Sequence, residues 1–339
     1  MGKLLCDSAS AAADPVAAAF LPSTSPWAHP HGEGSLDSIP AATSTSWDRV
    51  PGLEDQQRSH LKRLCSKGVL WKNPREKESE PVVFLLGHGG EVSADGNCLF
   101  TAVGRGVGVE PRELRRRVIR TFEGGVGEDE RAAVEGVIRN MYAPDVGKGW
   151  GVHVVQEVKL LAPKKERDWL DKGIDELVQL GMQSKGIRCR EMAAESIYKE
   201  RCIPVNDVSG WAKYMSISGS PSDEYDIITL QYTEEGLLSI DENRDGHAAA
   251  FGDDIAIECL ATEFKREIFV VQAHGADAMV DDENCLFFLP HPPRSEICGP
   301  PLFLFMKGTG WCGAGADHYE PLIAQPTVLV SPEKVAIVL

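Results

Sequence analysis

No apolar run in this sequence approaches the roughly 18 residues that a membrane-spanning helix needs, so an integral membrane protein is not expected. Basic residues are also scarce, because 35 Lys and Arg face 51 Asp and Glu and leave a formal net charge of −16. A nucleic acid is therefore not expected as the main partner, since phosphate binding needs a basic surface. The acidic excess suits a basic protein partner.

The nine cysteines form no C-x-x-C pair, and their odd number provides no disulfide framework. Such a scatter in a chain of 339 residues favours a reducing compartment. No apolar stretch typical of a secretory signal opens the chain. We therefore expect a cytoplasmic protein, with the nucleus as a second compartment.

Composition divides the chain into four parts. Residues 1–46 are rich in Ala, Ser, Pro and Gly, and are predicted to be a disordered tail. Residues 47–82 are predicted to hold an amphipathic helix that ends near Gly68, followed by a charged linker. Residues 83–325 carry the chemical motifs described below, and residues 326–339 form a C-terminal extension.

The order of periodic patterns predicts an α+β fold. Residues 150–215 have mostly helical patterns, whereas strand-like apolar runs dominate from residue 267 onward. A helix is also predicted after Pro111, and it is rich in arginine. Its arginines are interpreted as a solvated face, with a docking surface as the alternative; they are Arg115, Arg116, Arg117 and Arg120.

A cysteine stands directly after a turn in the stretch "DGNCLF". Asp95, Gly96 and Asn97 favour a turn, and the apolar run after Cys98 reads as a short buried helix. This places Cys98 at a helix N-terminus, where the helix dipole and free N–H groups favour the reactive thiolate. The alternative is a buried structural cysteine that happens to follow a turn.

A near-repeat of this stretch, "DENCLFF", provides an internal control. Cys285 precedes a strand-like run ended by prolines, and its turn lacks the glycine that allows a tight backbone approach. Glu283 and neighbouring aspartates would raise its pKa rather than lower it. Cys285 is therefore interpreted as structural.

A cysteine nucleophile needs a base and a group that orients the base. His318 opens the strand-like run "HYEPLIA", and the alternation of a strand places Glu320 on the same face. His88 and His274 are the next candidates for the base. Cys312 and His318 could suggest zinc, but no second ligand pair has suitable spacing, so we expect no metal.

Three ordered motifs resemble the ovarian tumour (OTU) family of cysteine proteases, which are mostly deubiquitinases. They are "DGNCLF" at 95–100, the aromatic-Gly pair with its acidic helix and strand at 251–271, and "HYEPL" at 318–322. The resemblance covers roughly residues 83–325. It implies an OTU-like catalytic domain in which a helical lobe packs on a small, mostly antiparallel sheet.

The resemblance also implies roles for single residues. Cys98 is the nucleophile and His318 its base, while Glu320 stands where the family usually has Asp or Asn. Asp95 is the motif aspartate, whose loop, with Gly96 and Asn97, shapes the oxyanion site. The implied activity is that of a thiol-dependent ubiquitinyl hydrolase, which acts on ubiquitin or polyubiquitin conjugates and needs no cofactor.

Two other functions stay open, namely a catalytically silent ubiquitin-binding module and a protease for a ubiquitin-like modifier. For the arginine-bearing tail of ubiquitin, acidic clusters are candidate contacts, with solvated loops as the alternative. These clusters lie at 223–226, 241–245, 253–254 and 281–283.

Two further segments leave alternatives open. In the family the stretch "WAKYMS" runs almost directly into Phe251, so residues 217–250 are interpreted as an insertion, either a hairpin over the substrate cleft or a surface decoration. Residues 174–200 are similar to the first two helices of a ubiquitin-associated domain. The alternative for them is an ordinary helical lobe of the protease domain.

The opening residues "MGKLLC" also leave two alternatives. Gly2 and Cys6 are candidates for acylation, and two acyl chains would tether a fraction of the protein to a membrane. The usual signal has Ser or Thr where this chain has Cys6. The alternative is an unmodified tail, with no membrane association.

Overall fold

The computed structural model describes residues 46–76, 78–142, 156–184, 189–233, 235–273, 286–308, 318–327 and 337–339. The expectations for the tail, including Gly2 and Cys6, therefore lie outside the described residues, as do those for Cys285 and His274. In the described part the chain is a mixture of α and β structure, as the sequence predicts. None of its helices there is both long and apolar enough to cross a membrane.

The described residues form eight α-helices and eleven strands. The helices are α1 (Asp55–Lys67), α2 (Cys98–Val107), α3 (Pro111–Gly125), α4 (Glu128–Tyr142), α5 (Arg167–Ser184), α6 (Arg190–Arg201), α7 (Val208–Met215) and α8 (Asp254–Phe264). The strands are β1 (Val69–Trp71), β2 (Val82–His88), β3 (Gln156–Pro163), β4 (Ile203–Pro204), β5 (Tyr225–Thr233), β6 (Gly236–Asp241), β7 (Ile268–Ala273), β8 (Leu286–His291), β9 (Leu302–Lys307), β10 (His318–Thr327) and β11 (Ile337–Val338).

Seven strands form the larger sheet, in the order β11-β1-β2-β10-β9-β7-β8. All neighbours are antiparallel except β1 with β11 and β7 with β9. Side chains alternate along β7, so that Phe269 and Val271 enter a core shared with α1, whereas Ile268 and Val270 enter the core shared with α2, α3 and α8. The sheet is thus covered on both faces, and it is larger than the small sheet expected from the sequence.

Helix α1 and the end of the chain belong to this larger sheet. The predicted amphipathic helix is confirmed, because α1 buries Leu61 and Leu64 and ends at Gly68, whose φ of 76° suits glycine. Strand β1 follows at once and pairs with β2, and β11 pairs with β1. Residues from both the 47–82 segment and the C-terminal extension therefore take part in the sheet that carries β10.

A second sheet has the order β4-β3-β5-β6 and is entirely antiparallel. The interpretation of residues 150–215 as mostly helical was wrong for β3, whose residues Leu160 and Ala162 face α5 and α6 while Leu161 faces the main core. This strand pairs along its whole length with β5, far along the chain. Because β5 is distant from β3 in sequence, the pattern of residues around β3 does not indicate this pairing.

Residues 217–250, for which the sequence leaves a hairpin and a surface decoration open, contain a hairpin made of β5 and β6. Its place over a substrate cleft stays a prediction. Strand β5 is not a decoration added to a finished surface, because it lies between β3 and β6 in the second sheet. Its Ile228 and Leu230 join the core beneath α5 and α6, and Ile227 joins the main core. This segment is therefore an integral layer of the fold, and its interpretation as an insertion stays a prediction.

The helices predicted within 174–200 are present as parts of α5 and α6. Their buried residues Ile174, Ala193 and Tyr198 cover the second sheet, and Tyr198 donates a 2.6 Å hydrogen bond from its hydroxyl to Glu242 Oε1. The pair thus forms a helical layer on the second sheet. Binding of ubiquitin to it stays a prediction.

Two helical glycines offer a matched test of this packing. A Cβ added to Gly210 in α7 would clash with the carbonyl oxygen of Pro204, whereas a Cβ on Gly136 in α4 meets nothing within 4 Å. We expect Gly210→Ala to lower the free energy of unfolding by about 2 kcal/mol, as overpacking does. Gly136→Ala should raise it by about 0.5–1 kcal/mol, because alanine is the better helix former.

Urea unfolding of both variants measures the difference. Equal stability of the Gly210→Ala variant and the parent would contradict the close approach of α7 to the end of β4.

Candidate active site

The turn before α2 has the geometry that the sequence predicts. Gly96 has a φ of 81°, and a Cβ there would lie 2.5 Å from the carbonyl oxygen of Ala249, so only glycine fits. The N–H of Asn97 donates to Asp95 Oδ1 at 2.9 Å and closes the turn. Asn97 is the N-cap residue of α2, and Cys98 is its first residue. The predicted turn-to-helix junction is confirmed.

Cys98 is 2% exposed and belongs to the main core. It lies at the positive end of a ten-residue helix, which favours a thiolate over a thiol. Helix α2 packs against β10, where Tyr319 shares this core with Cys98. The helix is also tied to the loop after β2, because Arg105 donates to the carbonyl oxygen of Glu91 at 2.7 Å.

The side chain of Arg115 forms hydrogen bonds to the turn before α2. The interpretation of Arg115 as solvated was wrong, because the residue is 1% exposed. Its guanidinium donates to the backbone oxygens of Gly96 at 3.1 Å, Ala250 at 2.6 Å and Met215 at 3.0 Å. It also donates to Asn97 Oδ1 at 2.9 Å. One side chain thus connects three segments that are distant in sequence.

Burial lowers the pKa of Arg115 to about 10, which leaves the guanidinium charged at neutral pH. Its neighbours along α3 behave as the sequence predicts. Arg116, Arg117 and Arg120 all form surface ion pairs with Glu113. Of these four arginines on α3, one is therefore buried and three face solvent.

His318 and Glu320 lie on the same face of β10, as predicted. The Nε2 atom of His318 is 3.6 Å from Oε1 of Glu320. Glu320 is 1% exposed, whereas the side chain of His318 is 17% exposed. The imidazole therefore sits at the rim of the sheet, with a buried carboxylate beneath it. Such a pair can orient an imidazole and stabilise its charged form.

The sequence makes His88 a candidate base, but in the structure His88 contacts the oxygen of Glu320 that faces away from His318. Its Nε2 atom lies 2.7 Å from Oε2 of Glu320, and the side chain is 1% exposed. His88 ends β2, and the pairing of β2 with β10 sets it opposite Leu322. No local signal identifies this role, because it depends on a strand pairing across more than 200 residues.

The charge on Glu320 reflects its neighbours. Burial alone raises the pKa of this carboxyl, but the hydrogen bond from His88 and the charges of His88, Lys307 and His318 bring it below the usual 4.5. A lowered pKa means that the carboxylate stabilises the folded protein at neutral pH. That stabilisation is lost as the pH falls through and below 4.5.

Two other buried cysteines in the described part have raised pKa values. Burial raises the pKa of Cys259 to about 12 and that of Cys202 to about 11, so both are expected to be unreactive. Within the described residues no group of three or more His, Cys, Asp or Glu is arranged to hold a metal ion. Cys312 lies outside them, so the expectation of no zinc site stays a prediction.

Two of the candidate acidic clusters contain buried carboxylates. Asp253 accepts hydrogen bonds from Tyr142 Oη at 2.6 Å and Trp211 Nε1 at 2.8 Å, and it caps α8. Asp226 is 7% exposed and lies 3.6 Å from Lys164 Nζ. These two side chains serve the fold, and the remaining acidic residues stay candidates for contacts with a basic partner.

Neither a scan against protein-family models nor a search of the curated proteins finds a match to this chain. The relationship to the OTU family therefore stays a prediction. It depends on the three sequence motifs.

The role of Arg115 can be tested against its neighbour on the same helix. Arg115→Met leaves two buried backbone oxygens and one part-buried backbone oxygen without their donor, so we expect a loss of roughly 3 kcal/mol in the free energy of unfolding. Arg116→Met removes only an exposed ion pair with Glu113 and should change it by less than about 0.5 kcal/mol. Chemical unfolding monitored by circular dichroism provides both values, and equal losses would contradict the assignment.

Proposed function

We propose that this protein is a cysteine-type deubiquitinase, a thiol isopeptidase that hydrolyses ubiquitin conjugates. One observation carries the proposal. A cysteine at the N-terminus of α2 lies on a helix packed against β10, the strand that carries a histidine with a buried carboxylate partner. This is the set of groups that nucleophilic thiol catalysis requires. The motif resemblance to OTU proteases supplies the substrate class.

In the proposed reaction the Sγ of Cys98 attacks the carbonyl carbon of the terminal glycine of ubiquitin. His318 takes the thiol proton and then donates a proton to the leaving lysine amine, so the amide bond breaks and a thioester remains. Water attacks the thioester, with His318 as base, and the free carboxylate of ubiquitin leaves. The proposal requires His318, at the first residue of β10, to reach the thiol of Cys98.

The turn before Cys98 supplies the proposed oxyanion site. Backbone N–H groups of the 95–98 turn would face the negative oxygen of the tetrahedral intermediate. Asp95 contributes by fixing the turn, because its carboxylate already accepts from the N–H of Asn97. Arg115 holds the carbonyl of Gly96 and the side chain of Asn97 from behind. The turn is thus fixed before a substrate arrives, which is what such stabilisation needs.

A ubiquitin probe with a C-terminal electrophile tests the proposal. The parent protein should form a covalent adduct and should cleave polyubiquitin. Cys98→Ala should abolish both, and His318→Ala should slow cleavage by at least roughly 1,000-fold, because nucleophile and base act as a unit. The matched control is Cys298→Ser, which removes an exposed cysteine away from α2 and should keep the parent activity.

Three outcomes would contradict the proposal or redirect it. An adduct that survives Cys98→Ala would place the nucleophile elsewhere. Binding of ubiquitin with no adduct would favour a silent ubiquitin-binding module. Adduct formation only with probes built on a related modifier would favour a protease for a ubiquitin-like protein.

A further inference from the structure

His88 is a buried histidine whose ring contacts Glu320 and Trp47. It is 0% exposed as a residue, and the ring of Trp47 lies 5.4 Å away on a tilted plane. Its Nε2 contacts Glu320, whereas its Nδ1 is buried without a hydrogen-bond partner among the described residues. A proton on Nδ1 would therefore be buried with no acceptor. Because a carboxylate only accepts hydrogen bonds, the Nε2 atom of His88 carries the proton in its contact with Glu320.

Glu320 divides its two oxygens between different partners. Oε2 meets His88 at 2.7 Å, while Oε1 lies 3.5 Å from Lys307 Nζ and 3.6 Å from His318 Nε2. The backbone fixes this arrangement, because the N–H of Gly89 donates to the carbonyl oxygen of Pro321 at 2.8 Å. A carboxylate held at Oε2 cannot rotate freely, and Oε1 then keeps its position beneath His318.

We infer that His88 is a positioning residue, which donates its Nε2 proton to Glu320 and so fixes the carboxylate that orients His318. The inference rests on the proposed function for the reaction that His318 serves. It assigns His88 no contact with a substrate. Its effect on the reaction passes entirely through Glu320.

The electrostatic consequence follows from the groups that face Glu320. These are His88 from β2, Lys307 from β9 and His318 from β10 itself. Loss of the His88 donor raises the pKa of Glu320, because that hydrogen bond opposes the effect of burial. A neutral Glu320 supports the imidazolium of His318 less well. An imidazolium beside Cys98 favours the thiolate of Cys98, so weaker support for it moves the acid limb of the pH–rate profile to higher pH.

Two substitutions of similar size separate hydrogen bonding from packing. In His88→Gln the side-chain amide nitrogen lies as many bonds from the backbone as Nε2 of histidine, so it can keep the donor. His88→Met fills a similar volume without any donor. We expect His88→Met to lower kcat roughly 10- to 100-fold with KM little changed, and His88→Gln to stay close to the parent.

The second readout does not involve ubiquitin. The rate at which chloroacetamide alkylates Cys98 is measured from pH 5 to 9 in the full-length chain. His88→Met should move the acid limb upward by about 0.5–1 pH unit, and His88→Gln should leave it in place. The matched control is His291→Gln, a histidine of β8 whose charged neighbours are Asp254 and Glu258. It should leave the profile unchanged.

The outcomes separate the inference from the proposed function. Equal losses in the Gln and Met variants would overturn the positioning role and leave only a packing role for His88. Parent-like behaviour of both would overturn it as well. If alkylation follows the expected pattern while the parent cleaves no ubiquitin conjugate, the proposed function fails and the positioning role of His88 on Cys98 reactivity stands.

Discussion

The guanidinium of Arg115 is the contact on which the geometry around Cys98 depends. It binds the carbonyl oxygens of three segments, which lie before α2, at the end of α7 and before α8. Gly96 and Ala250 lie outside any helix or strand and Met215 is the last residue of α7, so no strand or helix ladder satisfies these oxygens. The charged guanidinium of Arg115 donates the hydrogen bonds that a helix or a strand would otherwise provide. The main core closes around it and leaves the residue 1% exposed.

Glu320 has the corresponding role on the other face of the larger sheet. Tyr319 faces the core that contains Cys98, while Glu320 is held from the opposite side by His88 and Lys307. The consecutive residues Tyr319 and Glu320 of β10 therefore point to opposite faces of the larger sheet. A buried carboxylate is tolerated here because it has a hydrogen-bond donor on one oxygen and a cation near the other.

Local features of the site could be predicted from the sequence. The turn at 95–97 and the start of α2 follow from turn-forming residues and an apolar run, and the shared face of His318 and Glu320 follows from strand alternation. The same reasoning could not find the roles of Arg115 and His88. The role of His88 depends on a partner 232 residues away, and that of Arg115 depends in part on partners 100 and 135 residues away, while nothing in their own neighbourhood signals burial.

The fold likewise contains elements that local sequence patterns predict and elements that depend on distant partners. The amphipathic helix α1 and the hairpin of the insertion carry local signals, and both are present. Strand β3 was missed because it lies among helices in sequence and pairs with β5 across the intervening helices. That pairing joins the β5–β6 hairpin to β3 and β4 in the second sheet. Its two faces enter different cores, so neither face alone gives the strand a clear alternation of apolar and polar residues.

The pairing of β2 with β10 has a consequence for the protein during its synthesis. The turn and α2 are made early, together with Arg115, whereas β9 and β10 emerge after most of the chain. Until then β2 lacks its central neighbour, and Glu320 and His318 do not yet exist. A nascent or C-terminally truncated chain therefore carries the thiol without its imidazole. Under the proposed function, the chain would therefore gain hydrolase activity only once the larger sheet is complete.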